Sequence, residues 1–189
     1  MVGGYGWIVR VVRFRQRVNL LVFFVSAVVL VWCVLLFAAP LALPPGTVRG
    51  LDGTVGVTDH GGFSGLPPLW GVVYSVGDRL CHQIEDRSFV VGGNEMAFCA
   101  RCTGVWLGLF LGLLGFAVIR VPDDGRLAWM VVLGLVPLMV DGGGQFFGWW
   151  ISVNAVRLVT GLLAGLVGGV CFGLLISEVE SILKKKRTT

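Results

Sequence analysis

Cysteine, histidine and arginine crowd into one stretch of the chain, CHQIEDRSFVVGGNEMAFCARCTG, from Cys81 to Gly104. Cys99 and Cys102 are separated by two residues, a gap that lets both sulfurs reach a single metal ion. Cys81 and His82 offer the donors that would complete a tetrahedral zinc site with them. Neighbouring residues of an unbroken helix point ~100° apart, so either a helix ends at this pair or one of the two ligates. Arg101, inside the Cys99–Cys102 pair, would favour a thiolate, the form that thiol–disulfide exchange also needs.

A second set of polar residues sits in otherwise apolar sequence. Asp141 and Gln145 are one helical turn apart, and Asn154 and Arg157 share a face at spacing three, with Thr160 a turn deeper. An ionisable residue within a membrane span costs roughly 3 kcal/mol on insertion scales, and is retained mainly where it meets a partner or a cavity. Asp141 and Arg157 are opposite in charge and similar in depth. They are expected to pair, and are the candidate catalytic residues; the competing reading is a salt bridge that only locks helices. Arg87, Arg101, Gln145 and Asn154 are candidates for the walls of a ligand pocket, whose arginines suit an anionic or lipid-linked ligand such as a lipid phosphate. Pro137 and the run Gly142, Gly143, Gly144 predict a distorted helix with backbone groups open to that ligand.

The elements that must position these residues are membrane spans. The chain has 189 residues, 56% of them hydrophobic and only 14% charged, and a mean hydropathy of +0.86. A bilayer is the natural solvent for such a chain. The net charge of +4 comes from basic residues at segment ends rather than from a soluble basic face, so no nucleic-acid partner is implied. The first span is expected from about Val18 to Ala39, ended by Pro40, Pro44 and Pro45. It reads as a retained anchor, because its apolar core exceeds the ~7–15 residues of a signal peptide and Pro40 spoils cleavage after Ala39. Residues 40–68 read as an aqueous loop, in which Asp59 and His60 form a solvated pair. From Leu69 to Ile84 the apolar residues recur at helical spacing, as in a helix lying on the membrane surface. Three spans follow, at about Phe98 to Ile119, Leu127 to Phe147 and Asn154 to Ile176. Trp129, Trp149 and Trp150 suit interfacial belts, and Cys33 and Cys171 read as packing residues.

The fold class is therefore all-α, an integral membrane protein of four transmembrane helices and one interfacial amphipathic helix. Five of the fifteen basic residues, Arg49, Arg79, Arg87, Arg101 and Arg157, fall on one side, and the rest on the other. The positive-inside rule then places both termini in the cytoplasm, and the cysteine stretch outside. Residues 1–17 and 177–189 become basic cytoplasmic ends, and 69–176 the motif-bearing domain. Asp141 lies ~21 Å from the inner boundary of a ~30 Å core, at the level of the cysteines. Gly104, Gly108 and Gly112 in the second span and Gly161, Gly165, Gly169 and Gly173 in the fourth line one face each, so these two spans are expected to pack directly. Such faces could equally serve between subunits, so an oligomer is compatible with them.

The combination of Cys81-His82-Gln83, Arg87-Ser88-Phe89, Cys99-x-Arg101-Cys102-x-Gly104, Asp141-Gly142 and Asn154-x-x-Arg157 resembles an uncharacterised family of prokaryotic multi-pass membrane proteins, catalogued as a domain of unknown function. The resemblance runs from about Trp70 into the fourth span. It implies a cell-membrane location and supplies no activity. Chemistry leaves three readings: a zinc site serving catalysis or ligand binding, a quinone-linked thiol–disulfide oxidoreductase, and a structural protein stapled by a disulfide or zinc. In the second, the C-x-x-C pair at a span end is similar to that of disulfide-forming enzymes and vitamin K epoxide reductases. Phosphate-loop, zincin and nucleophile-elbow motifs do not occur in the sequence.

Overall fold

The structure is a computed structural model that describes residues 19–51, 53, 63–119 and 126–187. Asp59, His60, the four N-terminal arginines and Arg120 lie outside the described residues. Helices α1 (Leu20–Ala42), α2 (Pro68–Leu80), α3 (Ala100–Val118), α4 (Arg126–Phe146) and α5 (Asn154–Arg187) make up most of the described chain, with a hairpin of β1 (Ser88–Val91) and β2 (Asn94–Cys99) between α2 and α3. All but α2 are long and apolar enough to cross a membrane.

Helices α3 and α5 form the spine. Lipid tails are as apolar as leucine, so helices associate in a bilayer by close packing rather than by escape from water. Glycines provide that closeness here. A Cβ added to Gly104, Gly108 or Gly112 would overlap the main-chain oxygens of Leu158, Leu162 and Leu166. From the other side, one on Gly161 or Gly165 would overlap those of Arg101 and Val105. Helix α1 packs beside α3, burying Val22 against Leu113, Phe116 and Ala117. Its first turn is capped by Asn19, whose Oδ1 accepts from Val22 N at 3.2 Å while its Nδ2 donates to Ser177 Oγ of α5 at 3.0 Å.

Two expected boundaries shift, each for a local reason. Helix α1 does not end at Pro40 but runs one further turn, to Ala42. Its terminal carbonyls are satisfied from elsewhere: buried Asn94 donates from Nδ2 to the oxygens of Pro40 (2.9 Å), Leu43 (3.2 Å) and Pro44 (3.0 Å). Helix α4 is continuous from Arg126 to Phe146, through Pro137 and its glycine run. Gly144 makes room for the Trp150 ring, which a Cβ there would penetrate. Helix α5 continues past Ile176 to Arg187, supported by the Glu180–Lys184 pair one turn apart. At ~1.5 Å per residue it is ~51 Å long, well beyond a ~30 Å hydrocarbon core.

The loop after α1 is not purely aqueous either. Val48 and Leu51 are buried. The segment lies along the hairpin, with Glu95 N donating to Val48 O at 3.0 Å and Gly46 N to Gly93 O at 3.1 Å. The hairpin itself was not expected. Its Gly92–Gly93 turn has φ of +59° and +83°, the left-handed pair that a two-residue turn requires, between Val91 and Asn94 in register.

Candidate metal centre and cationic cleft

Helix α2 ends at Leu80, and Cys81 is already extended (φ −144°, ψ 146°), so the Cys81-His82-Gln83 triplet leaves the helix and its three side chains go separate ways. Cys81 turns inward and is buried, while His82 is exposed. Gln83 is fully buried with φ +35°, and its Nε2 donates to Ala97 O of β2 at 2.7 Å. Gln83 thereby fastens the end of α2 to the hairpin. The room for this is made by Gly77, where a Cβ would overlap the same Ala97 oxygen.

Strand β2 delivers Cys99 to the first turn of α3, and Cys102 follows one turn on. The three sulfurs of Cys81, Cys99 and Cys102 lie within 4.8 Å of one another, and could hold a metal ion. Tetrahedral zinc with Zn–S of ~2.3 Å needs sulfurs ~3.8 Å apart, so a small adjustment would close such a site. Cys99 N donates to Cys81 Sγ at 3.3 Å. The Cys99 thiol is held far below its ordinary value by hydrogen bonds from the Cys102 and Cys81 thiols, then by the main-chain N–H groups of Cys102 and Arg101, against the desolvation that opposes ionisation. Those N–H groups belong to the free turn at the start of α3, where a thiolate complements the helix dipole. His82 is not a member of the three-sulfur group, so the expected four-ligand set is reduced to three cysteines among the described residues.

These sulfurs line a cleft of about 510 Å³ that also contains His82, Arg87, Arg101, Gln145 and Arg157. The expected Asp141–Arg157 pair does not form. Asp141 pairs with Arg101 Nη2, an ion pair that reaches from α4 to α3. Gln145 stands between the two: its Nε2 donates to Asp141 Oδ2 at 3.0 Å, and its Oε1 accepts from Arg157 Nη2 at 3.0 Å. Similar depth predicted a direct contact, but the side chain one turn along α4 occupies the space. Arg157 Nη1 donates to Asn154 Oδ1 (2.8 Å) and to Asp86 O (3.1 Å), and Asn154 Nδ2 donates to Ser88 O at 3.1 Å. The start of α5 thus carries the segment from Asp86 to Ser88. Asn154 supports Arg157 and does not line the cleft, while Arg87 does.

Residues 81–172 match the model of a family described as "Predicted membrane protein (DUF2085)". The chain is 37% identical over 115 residues to an uncharacterized protein of Methanocaldococcus jannaschii, covering 60% of this chain and 72% of the relative. It is 34% identical over 87 residues to an uncharacterized protein of Methanothermobacter thermautotrophicus, covering 46% and 78% respectively. The chain belongs to this family of membrane proteins. No solved structure matches it. The family match opens at Cys81 and includes Cys99, Cys102 and all three cleft arginines; α1 and α2 lie before it.

The sequence assigns no role to Gln83, which enters only through the Cys81-His82-Gln83 motif, and none to Asn94. Each is a buried amide that caps or clamps backbone from a distant segment, and a lone amide carries no periodic signal. The hairpin did have one, in Gly92-Gly93 after Phe89-Val90-Val91.

Proposed function

We propose that this membrane protein binds one zinc ion through Cys81, Cys99 and Cys102, and uses the adjoining cleft to hold an anionic ligand beside it. The observation that supports this most directly is that the three clustered sulfurs are also cleft wall, facing the same space as Arg87, Arg101 and Arg157. A three-thiolate site leaves a fourth coordination position, and here that position would open on the cleft. A metal there would act as a Lewis acid toward an anionic oxygen. Arg157 is the anion-binding residue in this reading. Asp141 is a positioning residue, since its carboxylate already holds Arg101 and Gln145. With both termini cytoplasmic, the cleft faces the outside of the cell.

Metal analysis of protein purified in detergent without added metal tests this. Wild type should carry about one zinc per chain, lost in Cys99→Ser with the helical circular dichroism retained, and kept in His82→Ala, because three cysteines suffice to hold it. A metal-free wild type with a Cys99–Cys102 disulfide would overturn the reading in favour of thiol–disulfide exchange.

A further inference from the structure

Arg157 is only 4% exposed, and its hydrogen-bond acceptors are the neutral oxygens of Gln145, Asn154 and the Asp86 main chain. Among the described residues it makes no ion pair, because Asp141 is engaged by Arg101. Asp141 and Cys99 attract it only through space, while Arg87 and Arg101 repel it, and a buried cation without a direct ion-pair partner is costly. Arg157 faces a cleft lined also by Arg87 and Arg101 and by no carboxylate, an arginine-rich wall that suits an anionic ligand.

The lip of the same cleft is apolar. Leu80 and Phe146 line it and are 63% and 85% exposed. Phe146 is the last residue of α4 and continues a stripe with Val132 and Met139, both exposed and spaced by seven residues along the span. An aromatic cluster extends beyond it, with Phe147 stacked on Trp149 at 5.3 Å. An amphiphile placed with its head among the arginines would lay its tail over Phe146 and down this stripe. A volume of about 510 Å³ suits a headgroup and falls within the usual ~300–1,000 Å³ of small-ligand sites.

We infer that the anion is the phosphate head of a lipid, entering sideways from the bilayer across Leu80 and Phe146; this rests on the cleft being the ligand site proposed above. A free phosphate shares the arginine chemistry and has no use for the apolar lip.

The test is a calorimetric titration of the full chain in phosphatidylcholine nanodiscs, with dioctanoyl phosphatidic acid and glycerol 3-phosphate as probes and empty discs as the partitioning blank. The lipid should bind at least about tenfold more tightly than glycerol phosphate, from burial of its first methylenes. Phe146→Ser should shrink that ratio toward one without changing glycerol phosphate binding. Arg157→Gln should weaken both probes. Arg87→Gln, at an exposed position, should weaken both as well. Equal affinity for the two probes would overturn the lipid inference and leave a water-soluble anion as ligand. Binding of neither probe by zinc-replete protein would overturn it together with the anion half of the proposed function. A zinc-free preparation that still discriminates the probes would sink the metal half alone.

Discussion

The α3–α5 seam and the polar layer at its end are held together by opposite means. Along the seam, glycines bring one backbone against another, so cohesion comes from van der Waals contact over a long interface. At the motif end, a few buried or half-buried side chains tie segments far apart in sequence: Asn94 to the end of α1, Gln83 to β2, Asn154 to β1, and Arg101 to Asp141. The seam tolerates no added volume, whereas the polar layer tolerates no lost hydrogen bond. The second arrangement suits a site, because it fixes directions as well as distances.

Added bulk should do the greatest damage. Gly108→Leu would drive a side chain into the Leu162 and Leu166 backbone, and is expected to cost more than about 4 kcal/mol, leaving no monodisperse peak in size-exclusion chromatography. Gly115→Leu, on the same helix with open space beside it, should unfold like wild type. Equal damage from both would mean that the glycine contact is not what joins the spine.

Asp141→Asn comes next. It leaves Arg101, whose Nε already lacks a partner, without its counter-charge, at a cost on the order of 3 kcal/mol. Hydrogen exchange should rise in α4 and not in α3 or α5. Exchange rising uniformly would show that the spine and the polar layer are one cooperative unit.

Asn94→Ala strips the amide that reaches three carbonyls at the end of α1, and should lower stability by about 1–2 kcal/mol in a thermal melt. Proteolysis in the 43–51 loop should increase. Cleavage at wild-type rates would assign the cap no holding role.

The smallest effect is one of pH. Burial raises the Glu95 carboxyl above its ordinary 4.5, despite the Gly50 N–H bound to one of its oxygens. A carboxyl raised in the folded state contributes stability below its unfolded value, and loses that contribution as pH climbs through the folded one. Wild type should therefore weaken relative to Glu95→Gln as pH rises from about 4.5 toward neutral. Parallel curves would indicate that Glu95 does not titrate in that range.

Legibility in the sequence followed the same division. Spans announce themselves because twenty apolar residues in a row have one use, and a repeat of four in small residues can mark only a helix face. That much was readable, as was the cysteine stretch, since two thiols at a gap of two are already neighbours. The Asp141–Arg157 pairing was misread because depth along a helix gives one coordinate only. Which of Arg101, Gln145 and Arg157 meets the carboxylate depends on how α4 is rotated about its axis, and that angle comes from packing against α5.

By itself the sequence determined that this chain lives in a bilayer, how many times it can cross, and which residues are too polar to be there without a purpose. Those properties are sums over local composition, and need no knowledge of neighbours. Only the tertiary structure decided that Cys81 and His82 part company, that Cys81 joins Cys99 and Cys102, and that Arg157 is left facing a cleft without a carboxylate. Each of these turns on contacts between residues dozens of positions apart, where a helix end, a two-glycine turn and a buried amide fix the directions in which side chains point.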